Sequence, residues 1–414
     1  MKVLLLFHKL PFPVRDGGAY ALCETAECLA SQGAETKILA VDPPKDAARK
    51  DGSLEQFAGR HHLVTVPVDT RVKPWKAWIN LWSARSYFVE RFRSGLYDSQ
   101  LKAILQEEKF DLIQLEHIYM CLYLRTIRKH SEAPVILRPQ NVENSIWKQL
   151  AARNRNLLKK AYLKISADRL FNFEAKMSKQ VDGIMAISDN DAAAFRSYAP
   201  KVPVIPVAAG FDPGRLAHFD FEVQYRHFPA FYHLGSMDWL PNVEGMKWFI
   251  SEAMPAVINL YPGFKLHLAG KKMPAWFSRR EGKHLMVHGE IEDPVSFQEN
   301  KPVMIVPLQS GSGLRIKIIE AMALGKTVIS TPIGAEGIPC RHDENILIAD
   351  TKEEFAFQIK RCSDSMELCK RIGNSARSFA QKHYDRNALT MKMTGFYNQI
   401  AGKPGTPARS GPTT

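Results

Sequence analysis

A glycine-rich loop, two basic residues and a glutamate lie close together within residues 303–331, which read VMIVPLQSGSGLRIKIIEAMALGKTVIST. Residues 303–308 have the length and apolar composition of a buried strand, and apolar residues recur at helical spacing over residues 314–324. The loop between these two segments contains Gly311, Ser312 and Gly313. A strand, a glycine loop and a helix in this order turn backbone N–H groups toward an anion, which in open α/β sheets is usually a phosphate.

Arg315 and Lys317 belong to the first turn of this predicted helix, where a cation gains nothing from the helix dipole. A bound diphosphate would explain why both residues stand there. Glu320, one turn further on, could accept hydrogen bonds from the two hydroxyls of a ribose. The alternative is that Lys317 and Glu320 form a surface pair three residues apart and that the glycines only form a turn.

The elements around this loop predict an α/β fold with two domains. Strand-like and helix-like runs alternate in both halves of the chain, and residues 3–41 already form a β-α-β unit. The chain of 414 residues is long enough for two hydrophobic cores. We predict an N-terminal domain over residues 1–205, completed by a C-terminal helix over residues 386–401. A second domain then covers residues 206–385, and residues 402–414 form a disordered tail.

Composition and charge restrict the class of protein. No apolar run is long enough to span a membrane, and the N-terminal apolar run is too short for a signal peptide and fits a first strand. The six scattered cysteines show no metal-binding spacing. These features predict a cytoplasmic protein without a structural zinc. The net charge of +13 indicates a polyanionic neighbour, either nucleic acid or an anionic membrane leaflet.

Residues 71–93 combine aromatic and basic side chains. Trp75, Trp78 and Trp82 have the spacing of one helical face, and residues 153–179 add a second, basic helical pattern. The first segment suits an anionic membrane at the inner face of the plasma membrane, where indole rings lie at headgroup level. Aromatic stripes also pack in protein cores, and this alternative stays open. No recognised DNA- or RNA-binding motif accompanies the basic residues, so we do not expect nucleic acid as a partner.

The motif GSGLRIKIIEAMALGKTVISTPIGAEGI, preceded by GSMDWLPNVEGMKWF, resembles the bacterial family of retaining GT-B glycosyltransferases often labelled glycosyl transferases group 1, in its subgroup with a GxGxRxK loop. The resemblance implies two doubly wound Rossmann-like domains that face a cleft. It also implies transfer of a hexose from a UDP- or GDP-linked sugar to a hydroxyl of a glycan or lipid-linked acceptor in cell-surface polysaccharide biosynthesis. No metal and no other cofactor are expected.

The resemblance also assigns site residues on the donor side. Glu320 matches the glutamate that binds the ribose, while Arg315 and Lys317 neutralise the leaving diphosphate. The residues expected to hold the diphosphate are Gly235, Gly311, Ser312, Gly313 and Leu314. Gly17 and Gly18 match a glycine pair near the donor phosphates or the acceptor. On the residues alone, this pair is equally well a tight helix entry.

On the acceptor side, His117 follows the predicted strand 111–116 and matches a functional histidine of the family. Asn141 and Glu143 lie in a segment similar to the family's HNVE pattern and are expected to face the acceptor or donor sugar. Two structural alternatives stay open. His117 is then a packed or solvated residue, and Asn141 or Asn144 only caps the next helix.

Two departures from the family pattern leave other functions open. Ser312 stands where the family usually has a first glutamate, and Gln140 stands where histidine is common. A degenerate transferase that only binds the nucleotide is therefore an alternative. A nucleotide-sugar epimerase of GT-B shape and a basic nucleic-acid- or membrane-binding protein without catalysis are two others.

Overall fold

The chain forms two separate α/β units in its computed structural model, which describes residues 1–12, 14, 17–43, 52–73, 75, 79–83, 85–153, 156–216, 219–221, 223–311 and 313–402. The first unit comprises Met1–Ala208 and the residues from Thr390 onward, and the second comprises Ala209–Leu389. Both divisions fall a few residues after the predicted ones at 205 and 385. The predicted tail lies outside the described residues, apart from Gly402.

A parallel sheet of seven strands forms the centre of the first unit, in the order β3-β2-β1-β4-β5-β6-β7. Its strands are β1 (Lys2–Phe7), β2 (Glu35–Asp42), β3 (Leu63–Pro67), β4 (Leu112–Glu116), β5 (Val135–Arg138), β6 (Gly183–Ala186) and β7 (Val204–Pro206). All residues of β4, and those of β1 after Lys2, are buried, as expected for strands covered by helices on both faces. The chain crosses from one side of β1 to the other, so the sheet is doubly wound.

Helices cover both faces of this sheet. They are α1 (Gly17–Ser31), α2 (Gly52–Arg60), α3 (Tyr87–Glu90), α4 (Gly95–Glu107), α5 (Leu124–His130), α6 (Glu143–Arg153), α7 (Leu157–Ser178), α8 (Asp189–Tyr198) and the C-terminal α16 (Arg386–Ile400); Asn80–Trp82 and Ile118–Tyr123 are 3-10 turns. The end of α16 packs on this sheet. Its buried Tyr397 hydroxyl donates to Gln114 on β4 at 2.5 Å, and Gly183 on β6 leaves space for the Phe396 ring.

The second unit repeats this plan with six parallel strands in the order β10-β9-β8-β11-β12-β13. The strands are β8 (Phe231–Leu234), β9 (Leu266–Ala269), β10 (Leu285–Gly289), β11 (Val303–Val306), β12 (Thr327–Ser330) and β13 (Leu347–Ile348). Its helices are α9 (Leu240–Trp248), α10 (Met254–Leu260), α11 (Ala275–Ser278), α12 (Pro294–Gln298), α13 (Ile316–Ala323), α14 (Lys352–Asp364) and α15 (Met366–Tyr384), and a π-helical turn, Phe249–Ala253, joins α9 to α10. The predicted α/β class with two doubly wound Rossmann-like units is confirmed.

Some elements differ from the sequence prediction. The basic pattern predicted as one helix over residues 153–179 belongs mainly to α7, which begins at Leu157, because residues 143–153 form their own helix. Strand β7 was not predicted, since Pro203 and Pro206 suggest a loop, but an edge strand tolerates proline. The predicted tryptophan face lies partly outside the described residues, which include Trp75 and Trp82 but not Trp78.

No helix within the described residues is both long enough and apolar enough to cross a lipid bilayer. Within the same residues, no cluster of three or more histidine, cysteine, aspartate or glutamate side chains could hold a metal ion.

Helix α9 packs directly on the chain that follows β11, and Gly245 makes this contact possible. A Cβ atom at Gly245 would stand 2.5 Å from the carbonyl oxygen of Pro307. We expect Gly245→Ala to destabilise the second unit by about 1–3 kcal/mol, because the backbone must shift to accept the methyl group. Thermal unfolding followed by calorimetry measures this as a drop in Tm of several degrees.

Gly395→Ala is the matched control for this substitution. Gly395 also lies inside a helix, but a Cβ atom there would meet nothing within 4 Å. Because alanine has the higher helix propensity, this variant should keep or raise Tm, by up to about 1 kcal/mol in stability. Equal Tm values for the two variants would refute the packing role of Gly245.

Candidate functional site

The carboxyl ends of β8, β9 and β11 meet at one edge of the second sheet, where close backbone contacts leave no space for side chains. A Cβ atom at Gly270 would lie 1.8 Å from the carbonyl oxygen of Gly235. A Cβ atom at Gly235 would lie 2.8 Å from Asn242 and 3.1 Å from the Lys317 amine. Gly235, predicted to bind a phosphate, therefore lets the chain after β8 approach the side chains of Asn242 and Lys317.

The glycine loop after β11 includes two residues with positive φ. Gly311 and Gly313 have φ values of 115° and 86°, in the region that only glycine adopts without strain. Ser312 lies outside the described residues. Helix α13 begins at Ile316, two residues later than predicted, so that Leu314 belongs to the loop and Arg315 takes the N-cap position.

Arg315 is a buried cation whose hydrogen bonds go to neutral groups. Its side chain is 5% exposed, and the guanidinium lies over the Trp239 ring at 5.3 Å. It donates to the carbonyl oxygen of Gly313, and to that of Ile333 at 3.5 Å. Its Nε has no partner among the described residues. Burial lowers the pKa of Arg315 to about 10, so the group stays charged at neutral pH.

Lys317 lies beside this arginine and also bonds to a neutral acceptor. Its amine donates to Asn242 Oδ1 at 2.7 Å, and Asn242 in turn donates to the carbonyl oxygen of Ser236 at 2.8 Å. Burial, together with the charge of Arg315, lowers the pKa of Lys317 to about 7. An anion placed near both cations would raise this pKa again, so the arrangement favours an anionic ligand.

His233 on β8 is fully buried next to this lysine. Its Nδ1 lies 2.7 Å from the carbonyl oxygen of Ile305, and its Nε2 has no partner among the described residues. Burial and the charge of Lys317 hold the pKa of His233 well below its ordinary value. The imidazole is therefore neutral near pH 7 and adds no third positive charge.

Glu320 lines a small cleft of the second unit, one helical turn beyond Lys317. This small cleft is lined by Glu320, Asp212, Gln298 and the apolar residues Phe211, Leu216 and Leu324. Gln298 accepts a hydrogen bond from the buried Tyr232 hydroxyl at 2.6 Å. The alternative of a simple Lys317–Glu320 pair is not favoured, because the Lys317 amine donates to Asn242 instead.

His117 lies at the carboxyl end of β4 in the first unit, with a strained backbone. Its φ of 111° is unusual for a residue with a side chain, and such strain concentrates at functional sites. The ring is buried, with its centroid 4.4 Å from that of His8, the residue after β1. His117 Nε2 lies 3.3 Å from Glu143 Oε1, so the structure brings these two predicted site residues together.

Hydrogen bonds fix Glu143 against His117. The Tyr119 hydroxyl donates to Glu143 Oε2 at 2.8 Å. Burial alone would raise the pKa of Glu143, but His117 and hydrogen bonds from Tyr119 and Asn141 together hold it below its ordinary value. Glu143 is therefore an ionised carboxylate at neutral pH.

The N-terminus of α6 is capped by a side chain from α7 rather than by an asparagine. The buried Glu174 carboxylate accepts the backbone N–H groups of Glu143 and Asn144 at 2.9 and 3.0 Å. The Asn144 side chain donates to the same carboxylate at 2.7 Å. Asn141 and Asn144 therefore do not fill the capping role that the sequence left open.

Gly17 and Gly18 are the first two residues of α1, beyond the carboxyl end of β1. A Cβ atom at Gly17 would meet nothing within 4 Å, so packing does not require glycine at this position.

Several residues of these clusters were not predicted. Asn242, Trp239 and His233 surround the two cations, and Glu174 and Tyr119 surround Glu143. Asn242 lies 75 residues before Lys317 and Glu174 lies 31 residues after Glu143, so no local pattern links either pair.

Two family models match the chain, one in each half. Residues 15–214 match the model described as Glycosyltransferase Family 4, and residues 229–365 match the one described as Glycosyl transferases group 1. A Klebsiella pneumoniae protein, described as an uncharacterized 44.6 kDa protein in the cps region, is 23% identical over 400 residues, or 93% of this chain and 96% of that protein.

Solved structures show the same fold. Sucrose-phosphate synthase of Thermosynechococcus elongatus has a TM-score of 0.66 at 15% identity, covering 97% of this chain and 100% of that one. HepE of Anabaena in complex with UDP has a TM-score of 0.64 at 13% identity, covering 96% and 100%. TarM of S. aureus has a TM-score of 0.63 at 10% identity, covering 96% and 99%. These structures support the GT-B fold for this chain, and both family models that match it describe glycosyltransferases.

Anion binding at Arg315 and Lys317 should depend on pH. Sulfate keeps its double charge from about pH 6 to about pH 8, while Lys317, with a pKa of about 7, loses its proton across this range. Because sulfate prefers the protonated amine, its affinity should fall about tenfold between these pH values. Calorimetric titration measures the change.

Lys317→Arg is the control, since an arginine stays charged throughout this range. The wild-type protein and Lys317→Arg have the same other sulfate sites. A difference between them in how sulfate affinity changes with pH therefore comes from Lys317. An identical pH dependence in the two proteins would show that the Lys317 amine does not titrate there.

Proposed function

We propose that this chain, a glycosyltransferase of the GT-B fold by its family matches, transfers a hexose from a nucleotide diphosphate sugar to an acceptor hydroxyl with retention of anomeric configuration. The observation that carries the proposal is the pair of cations, Arg315 and Lys317, held by neutral hydrogen-bond partners beside a glycine loop. HepE has been solved with UDP and with UDP-glucose, which supports a nucleotide sugar as donor.

The two cations would act on the leaving group. When the bond between the anomeric carbon and the diphosphate oxygen breaks, negative charge develops on that oxygen, and preorganised cations stabilise it. Diphosphate binding raises the pKa of Lys317, which then holds its proton through the reaction. The proposal requires no metal ion for this task.

In the proposed retaining reaction, the new bond forms on the face that the diphosphate leaves. The acceptor oxygen bonds to the anomeric carbon, and its proton passes to the departing phosphate oxygen. The atoms then balance without a covalent intermediate on the protein, and no carboxylate is assigned as a nucleophile.

The cleft beside Glu320 is the proposed ribose site. A carboxylate can accept both ribose hydroxyls, and the Glu320 carboxylate lines this cleft. The choice between UDP and GDP depends on contacts with the base.

The His117–Glu143 pair is the proposed acceptor site in the first unit. The ionised Glu143 and the ring contact with Tyr119 fix the His117 ring, so that it can orient an acceptor hydroxyl. The relative in a cps region fits a role in polysaccharide biosynthesis, with a glycan or lipid-linked acceptor.

We also propose that the enzyme works in the cytoplasm against an anionic membrane surface. Val72, Trp75, Ile79 and Trp82 are 54%, 60%, 55% and 73% exposed, and we call these four residues the apolar ridge. Three basic residues lie next to or within a few positions of the ridge in the sequence: Arg71, Lys73 and Arg85. Exposed apolar side chains mixed with cations suit a membrane interface.

Removing either cation should slow the reaction. Arg315→Ala or Lys317→Ala is expected to lower turnover on the order of a hundredfold, because one preorganised charge contact with the leaving group is lost. The donor is first identified by calorimetric titration of UDP, GDP and their sugars, and turnover is then measured as release of the nucleoside diphosphate. Lys265→Ala, at an exposed position of the same unit, is the control. Unchanged turnover in both cation variants would refute this assignment.

Glu320→Ala should act on donor binding instead. Loss of the two ribose hydrogen bonds is expected to weaken nucleoside diphosphate binding by about ten- to a hundredfold, since hydrogen bonds to a charged group contribute about 1.5–3 kcal/mol. The same change should have much less effect on the 2′,3′-dideoxy nucleotide. Glu353→Ala, in an exposed surface pair with Lys352, controls for loss of charge. A wild-type Kd in the Glu320 variant would exclude the ribose role.

A further inference from the structure

A second cleft, in the first unit, belongs to neither site described above. It has a volume of about 510 Å³ and is formed by the segment after β3, the Asn80–Trp82 turn and the region of α3. Four basic and two acidic residues line it, together with Trp75, Ile79 and Tyr87. The charged residues are Asp69, Arg71, Lys73, Glu90, Arg91 and Arg93.

The two acids of this cleft are already paired. Asp69 accepts from Arg71 at 2.7 Å and from Lys73 at 2.8 Å. Glu90 accepts from Arg93 at 2.8 Å and lies 3.7 Å from Arg85. The cleft therefore keeps an excess of positive charge after these pairs are formed.

Arg91 also lines the cleft and takes part in none of these ion pairs. Among the described residues, no carboxylate lies within ion-pair distance of it, and its Nε donates to the carbonyl oxygen of Phe88 at 3.3 Å. The guanidinium lies over the Phe92 ring at 5.0 Å. Stacking and one backbone contact fix the group, while its two terminal nitrogens keep donors for a phosphate.

A chain of aromatic rings connects Arg91 to the acceptor histidine. The Phe92 ring, under Arg91, stacks on Tyr119 with a centroid distance of 4.6 Å. The Tyr119 ring lies 4.1 Å from that of His117. An anion bound at Arg91 would therefore lie two aromatic rings away from the proposed acceptor site.

Two of the four residues of the apolar ridge also line this cleft. Trp75 and Ile79 belong both to the ridge and to the lining, and both are more than half exposed. A ligand that complements a cationic cleft with an apolar rim carries a phosphate and a hydrocarbon chain.

We propose that this cleft binds the phosphate group of a lipid-linked acceptor, with Arg91 as its main contact and the lipid chain along the apolar ridge. This inference rests on the proposed function and narrows it, because it selects a lipid phosphate rather than a free glycan as the acceptor. The sugar hydroxyl that reacts then extends toward His117.

Farnesyl phosphate, used below its micelle concentration, is the probe for this cleft. Calorimetric titration should show saturable binding that is at least about tenfold tighter than that of inorganic phosphate or of farnesol alone. Arg91→Gln should weaken binding of farnesyl phosphate about tenfold or more, as expected for loss of a charge-assisted contact. Trp75→Ala should weaken it as well, but should leave the affinity for inorganic phosphate unchanged. Arg128→Ala, which removes an exposed arginine of the same unit, should have no effect.

Arg91→Lys keeps the charge and checks that loss of binding in Arg91→Gln is not a folding defect. It should restore part of the affinity for farnesyl phosphate, and all variants should keep the wild-type thermal transition. Wild-type affinity for farnesyl phosphate in Arg91→Gln would overturn the proposal.

Vesicles separate this ligand from the lipid surface itself. With phosphatidylglycerol vesicles, Arg91→Gln should bind like the wild-type protein, and farnesyl phosphate should still bind to protein on the vesicles. If the vesicles displace farnesyl phosphate fully, the cleft is only part of a membrane contact and the proposal fails.

Nucleoside diphosphate affinity should be the same in Arg91→Gln as in the wild type. If the wild-type protein does not bind any nucleoside diphosphate, the proposed function is contradicted. The farnesyl phosphate result for the cleft is unaffected by that outcome.

Discussion

Two neighbouring cations, Arg315 and Lys317, are largely removed from water at the carboxyl ends of the strands of the second sheet. The packing of the second unit holds them in this position. Arg315 and Lys317 repel each other, and burial adds to the cost of their charges. Among the described residues, neither is hydrogen-bonded to a carboxylate; Asn242 and backbone carbonyls accept instead. Neutral acceptors take most of the donors, and the attraction of Glu336 does not outweigh the burial of Arg315, so this region stays attractive to an anion.

Backbone geometry makes this arrangement possible. Gly270 lies against Gly235, and Gly245 lies against Pro307, with no space for a methyl group at either contact. These contacts bring the ends of β8 and β9, helix α9 and the loop after β11 close together. Asn242, which projects from α9, can therefore reach Lys317. The packing of glycine backbones thus determines where the lysine amine is held.

The sequence predicted what local patterns encode. The strand before Gly311, the loop with its left-handed glycines and the helix carrying Lys317 depend on neighbouring residues, and the structure has all three. The environment of Lys317 was not predicted, since His233 comes from β8 and Asn242 from α9, and both meet it only after the sheet has formed. Strand β7 was missed for a related reason: its prolines suggest a loop, and only its edge position in the sheet permits them.

Glu174 shows that the first unit also holds a charged group at some cost. Burial raises the pKa of Glu174 to about 7, above the ordinary value of 4.5 for a glutamate. Between these two values the folded chain binds more protons than the unfolded chain, so folding becomes less favourable as pH rises through this window. A neutral side chain in place of Glu174 would remove this pH-dependent loss of stability. It could not, however, cap two N–H groups of α6 and bind Asn144 as strongly as a carboxylate does. Glu143 begins that helix and contacts His117. The Glu174 carboxylate, although it costs stability, therefore positions the His117–Glu143 pair.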